Sequence, residues 1–405
     1  MPERSTWNFH FGGRLLFGRG AVRESGAAVA RLGARKVFIV TDPVLVGVGI
    51  ASRVVESLAE RGVEAIVFDG GAPEPTFELA DAAIAAARQA RPDAVVGLGG
   101  GSNIDLAKVA AAALTYDVDF RTLFGFDLIP GAIRPLICIP TTAGTGSEVS
   151  HSAVLTDTAN RIKLSMQSHH LRPRLAIVDP ELTLSCPRKP TADSGIDALT
   201  HAIEAYTATP SAEVPVGPPP NEMFPYEGKT PMGDLFAEKA ISLIGRHLVA
   251  AVDEPSNIEA REGMALAAML AGVAFSNCGV ALVHAMEYPV GGAVHVSHGE
   301  GNGLLLPYVM RFTKPARTNE FAEIARLLGE DCSGLTPDAA ADRAIARVER
   351  LQTQIGIRPR LRELGVTREQ LPELARKAHG IKRLMTLTPR PISEQDVLEI
   401  YQSAW

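Results

Sequence analysis

Ala94-Val-Val-Gly-Leu-Gly-Gly-Gly-Ser-Asn-Ile-Asp-Leu-Ala-Lys108 is an apolar run that breaks into three glycines and restarts as an Ala-rich helical stretch. Residues 94–98 read as a buried strand, 103–114 as a helix, and the glycines as the turn joining them. Glycine lets the backbone approach an anion, and the first turn of a helix presents N–H groups without intrahelical partners, so a pyrophosphate suits the junction. The same triplet would also serve as a tight strand-to-helix turn with no ligand, so its surroundings decide.

Outward from this turn, Lys36-Val-Phe-Ile-Val-Thr-Asp42 and Glu64-Ala-Ile-Val-Phe-Asp69 read as strands, and 51–62 and 77–90 as helices. Strands separated by helices of this length imply right-handed crossovers and a parallel sheet, the nucleotide-binding kind of half. After Cys186-Pro-Arg-Lys-Pro190 the period becomes helical, over 192–207, 234–252, 258–278, 317–328, 337–355, 367–379 and 393–402. The expected organisation is an α/β domain over 1–188 and a helical, metal-binding domain over 189–405. A Pro-rich stretch, 210–231, contains Pro218-Pro219-Pro220; it cannot continue a helix and is expected to run extended over the surface.

Composition removes several function classes. The 405 residues carry a net charge of −6 with no basic stripe, which argues against nucleic acid as a partner. Aromatic residues are 5% of the chain against 46% hydrophobic, so the core must be aliphatic. Cys138, Cys186, Cys278 and Cys332 lie far apart without a CxxC pair, which fits a reducing compartment and suggests neither disulfide framework nor zinc ribbon. The N-terminus lacks the apolar run of a signal peptide, and no uninterrupted apolar stretch reaches the ~18 residues of a membrane span. A cytoplasmic protein with no membrane partner is expected.

A second polar turn, Pro140-Thr-Thr-Ala-Gly-Thr-Gly-Ser-Glu148, follows the apolar run Pro135-Leu-Ile-Cys-Ile. Its hydroxyls and glycines make another phosphate or ribose cradle, and two such loops suit a dinucleotide, although a helix-capping loop has a similar composition. Asp42 ends the first strand, where a carboxylate accepts from a ribose 2′-hydroxyl and repels a 2′-phosphate, favouring NAD, although a solvated strand-end aspartate reads the same.

The second half carries a different constellation. In Gly195-Ile-Asp-Ala-Leu-Thr-His-Ala-Ile-Glu204, Asp197 and His201 are spaced i and i+4 and share one helix face. Val283-His-Ala-Met-Glu-Tyr-Pro-Val-Gly-Gly-Ala-Val-His-Val-Ser-His-Gly299 then offers His284, His295 and His298 around a helix end and loop, and spacing alone does not choose among them. A carboxylate with imidazoles suits a divalent first-row ion, Fe(II) or Zn(II), without the thiolates that would fix zinc.

The GGGSNIDLAK turn, the PTTAGTGSE loop, the GIDALTHAIEAY helix and the segment from His284 to His298 together resemble the iron-containing alcohol dehydrogenases over nearly the whole chain. The resemblance implies the fold of dehydroquinate synthase and glycerol dehydrogenase, a Rossmann-like half and a helical half with the active site in the cleft between them. It implies Asp197, His201, His284 and His298 as metal ligands. Gly99, Gly100, Gly101 and Ser102 would form the pyrophosphate turn, Thr141, Thr142 and Thr145 the second cofactor loop, and Asp42 the ribose-reading acid. Asp105, Lys163 and Leu182 complete the cofactor-binding set, and family members are often dimers, which gives a homodimer as the expectation. The segments Trp7-Asn-Phe-His-Phe11 and Leu15-Leu-Phe17 would pair across a two-fold axis or close an edge of the local sheet.

One departure stands out. Many family members have a histidine four residues after the first ligand of the late segment; this chain has Tyr288. Glu287-Tyr288-Pro289, with the Pro-rich stretch and Tyr226-Glu-Gly-Lys-Thr-Pro-Met-Gly-Asp234, resembles the hydroxyacid-oxoacid transhydrogenase branch, which passes hydride between 4-hydroxybutyrate and 2-oxoglutarate. The expected reaction is hydride transfer between a primary alcohol or hydroxyacid and NAD, with Tyr288 and His284 as the catalytic residues and the metal polarising the substrate oxygen. A dehydroquinate-synthase-like lyase and a nucleotide-binding subunit without catalysis are the rivals.

Overall fold

The computed structural model describes residues 5–160, 162–215 and 226–405, so Pro218-Pro219-Pro220 lies outside the described residues. The chain forms two compact units: His10–Cys186, and Pro187–Trp405 together with residues 5–9.

The first unit contains strands β1 (Arg14–Phe17), β2 (Lys36–Val40), β3 (Glu64–Phe68), β4 (Ala94–Gly99), β5 (Gly125–Phe126), β6 (Leu136–Pro140), β7 (Ser152–Asp157), β8 (Ile162–Gln167) and β9 (Leu175–Val178). Its helices are α1 (Ser25–Ala30), α2 (Pro43–Gly47), α3 (Ile50–Ala59), α4 (Phe77–Ala90) and α5 (Gly101–Tyr116). Six strands make a parallel sheet in the order β1-β9-β6-β4-β2-β3. Every residue of β4 and β6 is buried, as central parallel strands covered on both faces must be. Alternation divides the sheet: Phe38 and Val40 enter one aliphatic core with Ile104 and Ala110, while Val37 and Ile39 enter the other with Val54 and Ile137. A Cβ on Gly97 would lie 2.9 Å from the Ala107 Cβ, so this glycine lets α5 press against the sheet.

Since β3 and β4 flank β2 on opposite sides, the strand order reverses between β2 and β4. The crevice beyond their carboxyl ends is where parallel α/β sheets take ligands. Asp42 and the glycine turn both sit there.

Two features were not anticipated. Strands β7 and β8 form an antiparallel hairpin in a small second sheet with β5, made of half-polar residues whose alternation is weak. Residues 5–9 associate with the helical unit, where the Asn8 amide donates to Glu227 and Phe9 stacks on Phe236. By contrast β1 pairs with β9, so residues 14–17 close an edge of the sheet.

Among the described residues the second unit contains α6 (Arg188–Thr207), α7 (Pro231–Asp253), α8 (Ile258–Cys278), α9 (Leu282–Val294), α10 (His298–Thr313), α11 (Thr318–Leu327), α12 (Pro337–Ile355), α13 (Leu371–His379), α14 (Lys382–Leu387) and α15 (Glu394–Ala404), with 3-10 turns at Lys314–Ala316, Leu361–Leu364 and Arg368–Gln370. α6 and α8 are buried along nearly their whole length and form the centre of the unit. The segment expected as a helix end and loop is two helices, α9 and α10, each with an internal proline, Pro289 and Pro307. α10 packs tightly on α6: a Cβ on Gly299 would lie 2.1 Å from the Asp193 carbonyl oxygen, and one on Gly303 2.6 Å from Ile196. Among the described residues no single helix is long and apolar enough to cross a membrane.

Candidate functional site

Asp197 and His201 project from one face of α6, His284 from the first turn of α9, and His298 opens α10. Ligand atoms of Asp197, His201 and His284 lie within 4.8 Å of one another, and all three residues are buried. His298 joins them through its ring, 5.2 Å from that of His284, and through Asn302, one turn along α10. The Asn302 amide donates to Asp197 at 2.8 Å and lies 3.1 Å from Nε2 of both His284 and His298. His295 is exposed in the left-handed cap that ends α9, away from this group.

Burial pushes the Asp197 carboxyl upward, but the facing imidazoles of His201, His298 and His284 outweigh it and hold the group below its usual range. A buried carboxylate held ionised and surrounded by imidazole nitrogens is the donor set a divalent first-row ion requires. Behind it stand two carboxylates that the sequence reading passed over. Glu204 accepts from the Val283 backbone N–H at 2.6 Å and pairs with His284 Nδ1 at 2.5 Å. Glu287, fully buried, pairs with His298 Nδ1. Spacing gave no signal for these pairs, since Glu204 of α6 meets a histidine of α9 and Glu287 of α9 meets one of α10.

Tyr288 stacks on His298 with ring centroids 5.8 Å apart and meets His284 edge-on at 6.4 Å. Burial raises its phenol above the ordinary range, against the opposing effect of Arg383, with which it is hydrogen-bonded. At neutral pH Tyr288 therefore keeps its proton, and its oxygen accepts from the Arg383 guanidinium.

In the sheet unit the two loops interlock. The Thr141 N–H donates to the Gly99 carbonyl at 3.0 Å, and a Cβ on Gly101 would meet the Thr145 side chain at 2.7 Å. Gly100 faces Thr142. Gly99 has φ +140°, a conformation L side chains rarely adopt, and a Cβ there would lie 2.2 Å from the Asn103 amide. Gly101 and Ser102 open α5, where the N–H groups point outward. Across the crevice Asp42 caps α2 through the Leu45 N–H at 3.0 Å and accepts from Asn103 at 2.7 Å.

Asp105 lies beneath the loops, not among them: one oxygen accepts from Ser147 at 2.6 Å and the other from the Val154 N–H at 2.9 Å. Beside it the fully buried Lys108 donates to Ser147, to Ser150 and to the Ser152 carbonyl at 2.7 Å, pinning the second loop from below. Lys163 sits on β8, paired with Glu74 at 2.7 Å. Leu182 is a core residue, packed below the sheet with Val22 and Ile137.

Residues 12–180 match the family described as "Iron-containing alcohol dehydrogenase", and residues 222–405 match "Fe-containing alcohol dehydrogenase family, C-terminal". Long-chain-alcohol dehydrogenase 1 of Geobacillus thermodenitrificans (strain NG80-2) is 39% identical over 391 residues, covering 96% of this chain and 94% of that protein. The NAD-dependent methanol dehydrogenase of Bacillus methanolicus is 37% identical over 398 residues, 98% of this chain and 99% of that protein. A crystal structure of 1,3-propanediol oxidoreductase superposes with a TM-score of 0.92 at 35% identity, covering 99% of this chain and 100% of that one. The chain belongs to the iron-containing alcohol dehydrogenase family.

Proposed function

We propose that the protein is a metal- and NAD-dependent dehydrogenase that interconverts primary alcohols and aldehydes. The observation carrying this reading is the buried convergence of Asp197, His201 and His284 within 4.8 Å, with His298 alongside. These four residues would hold Fe(II), and the same donors also suit Zn(II). When bound, the ion supplies Lewis-acid stabilisation of negative charge on a substrate oxygen. The chain's own groups do the rest. Gly99, Gly100, Gly101 and Ser102 present backbone N–H groups to the pyrophosphate, and Thr141, Thr142 and Thr145 hold the second part of the cofactor. Asp42 keeps acceptor capacity for a ribose hydroxyl while repelling a phosphate there. Tyr288 stands beside the ligands, where a water or hydroxyl chain ending near it or at a ribose hydroxyl would carry the proton out. The nucleotide chemistry would belong to residues 1–188 and the metal chemistry to 189–405.

The test combines metal analysis with NAD reduction by short primary alcohols. We expect about one ion per chain and reduction of NAD. His284→Ala should abolish turnover and leave NAD binding intact; bound metal with no hydride transfer from any alcohol or hydroxyacid would overturn the reading.

Arg383 favours a second reading, since its guanidinium is hydrogen-bonded to Tyr288, whose ring stacks on His298, and would offer a cation to a substrate carboxylate. That is the hydroxyacid-oxoacid transhydrogenase reading. It requires product from 4-hydroxybutyrate and 2-oxoglutarate without added NAD; no product leaves the simple dehydrogenase. A cytoplasmic homodimer is the further expectation. None of the four cysteines forms a disulfide, and Phe11 and Leu15 are exposed beside the edge strand β1.

A further inference from the structure

We propose that Glu204 and Glu287 are positioning residues of the metal centre with different tasks: Glu204 fixes which ring nitrogen of His284 carries the proton, and Glu287 lends negative charge to His298. The proposal rests on the metal reading above.

An imidazole that binds an ion through Nε2 must carry its proton on Nδ1, and a partner that only accepts hydrogen bonds enforces this arrangement. Both Nδ1 atoms face carboxylates, which accept and never donate when ionised. The surroundings of the two carboxylates differ. Glu204 uses both oxygens, one for the Val283 N–H at 2.6 Å and one for His284 Nδ1 at 2.5 Å. Val283 lies in the first turn of α9, so its N–H has no partner within that helix. The position therefore demands two acceptors side by side. A glutamine has one. Turned one way, its NH2 confronts the Val283 N–H. Turned the other way, its NH2 donates to Nδ1 and drives the ring proton onto Nε2, the nitrogen the metal needs.

Glu287 makes a single demand. One oxygen meets His298 Nδ1, whereas Oε1 has no hydrogen-bond partner among the described residues. A glutamine at 287 can turn its carbonyl oxygen to Nδ1–H and leave its NH2 where Oε1 stood. The ring keeps its tautomer and loses the neighbouring charge, and the unpartnered NH2 adds a desolvation cost that the melting control reads. Space for this side chain comes from Gly301, where a Cβ would lie 2.8 Å from the Glu287 Cγ.

The two isosteric substitutions should thus separate. With Co(II) and Zn(II) as probes, and chelator competition as the readout, Glu204→Gln should weaken binding by about 10–100-fold, the usual range for a lost partner of a ligating histidine. Glu287→Gln should weaken it less than about tenfold and shift the visible Co(II) bands. Melting of the metal-free variants checks that neither effect is a general loss of structure. Equal losses in both variants, or none in either while the parent protein binds metal, would overturn the proposal. Should Glu204→Gln not fold, nitrogen NMR of histidine-labelled, Zn(II)-loaded parent protein decides instead. Protonated Nδ1 is expected on both His284 and His298, and a ring protonated at Nε2 overturns the assignment. A parent protein that takes up no metal removes the metal reading itself along with this one.

Discussion

Glu148 ends the threonine-rich loop, and burial pushes its carboxyl up to about 7 from 4.5, with Lys108 as a weaker opposing influence. Between those values the folded chain holds a proton that the unfolded chain has released. The contribution of this group to stability is therefore fully present below about pH 4.5, declines as pH rises, and is lost above about 7. Glu148→Gln should flatten that slope, bringing the urea midpoints at pH 5 and pH 7.5 closer together than in the parent. An undiminished gap would assign the dependence to another group. At this scale the sequence exposed some residues and hid others for a physical reason. Asp197 and His201 were legible because helical spacing alone puts them on one face. Lys108 was not: a lysine beside an aspartate in a helix reads as a solvated pair, and only the close approach of residues 147–152 makes it a buried brace. Asn302 was hidden similarly, since its meaning depends on His284 of a different helix.

At the scale of elements, two glycines separate the two halves of the chemistry. Gly99→Ala would force an L side chain into φ +140° and against Asn103, distorting the turn that is to hold the pyrophosphate. Gly299→Ala would drive α10 away from α6, carrying His298 with it, because the Asp193 carbonyl lies only 2.1 Å from the new Cβ. Overpacking of this kind destabilises by roughly 1–3 kcal/mol. NAD titration and metal analysis should therefore fail in opposite variants: Gly99→Ala loses NAD affinity and keeps metal, while Gly299→Ala loses metal and keeps NAD affinity. Strands β2, β3 and β4 and the helices α4, α5, α6, α7, α8 and α12 were readable because each is a continuous run with clear ends. α9 and α10 were not, since Pro289, Gly291, Gly292 and Gly299 all argue against helix locally, and burial of the flanking apolar residues overrides them. The hairpin of β7 and β8 was missed because Thr156 and Lys163 face each other across half-exposed strands with little alternation.

For the molecule as a whole, the sheet ends on β1, whose Leu15 is 41% exposed, with Phe11 just before it at 59%. An edge strand bordered by exposed apolar side chains invites pairing with a second copy. Light scattering should give about twice the 43.0 kDa mass of one chain, and Leu15→Glu should shift that mass toward one chain. A parent protein measuring one chain throughout its concentration range would exclude the dimer. Asp42 has a consequence of another kind. One of its oxygens caps α2 and the other steadies Asn103, which in turn reaches back to the Leu98 carbonyl beneath the glycine turn. The residue that would discriminate between coenzymes is thus also a fastening of the fold. Replacing it to admit a phosphorylated coenzyme would forfeit a helix cap, a loss of ~1 kcal/mol, and loosen the adjoining loop. A lineage drifting toward that coenzyme would first need a neutral substitute such as Asn or Ser, able to cap the helix without repelling the phosphate.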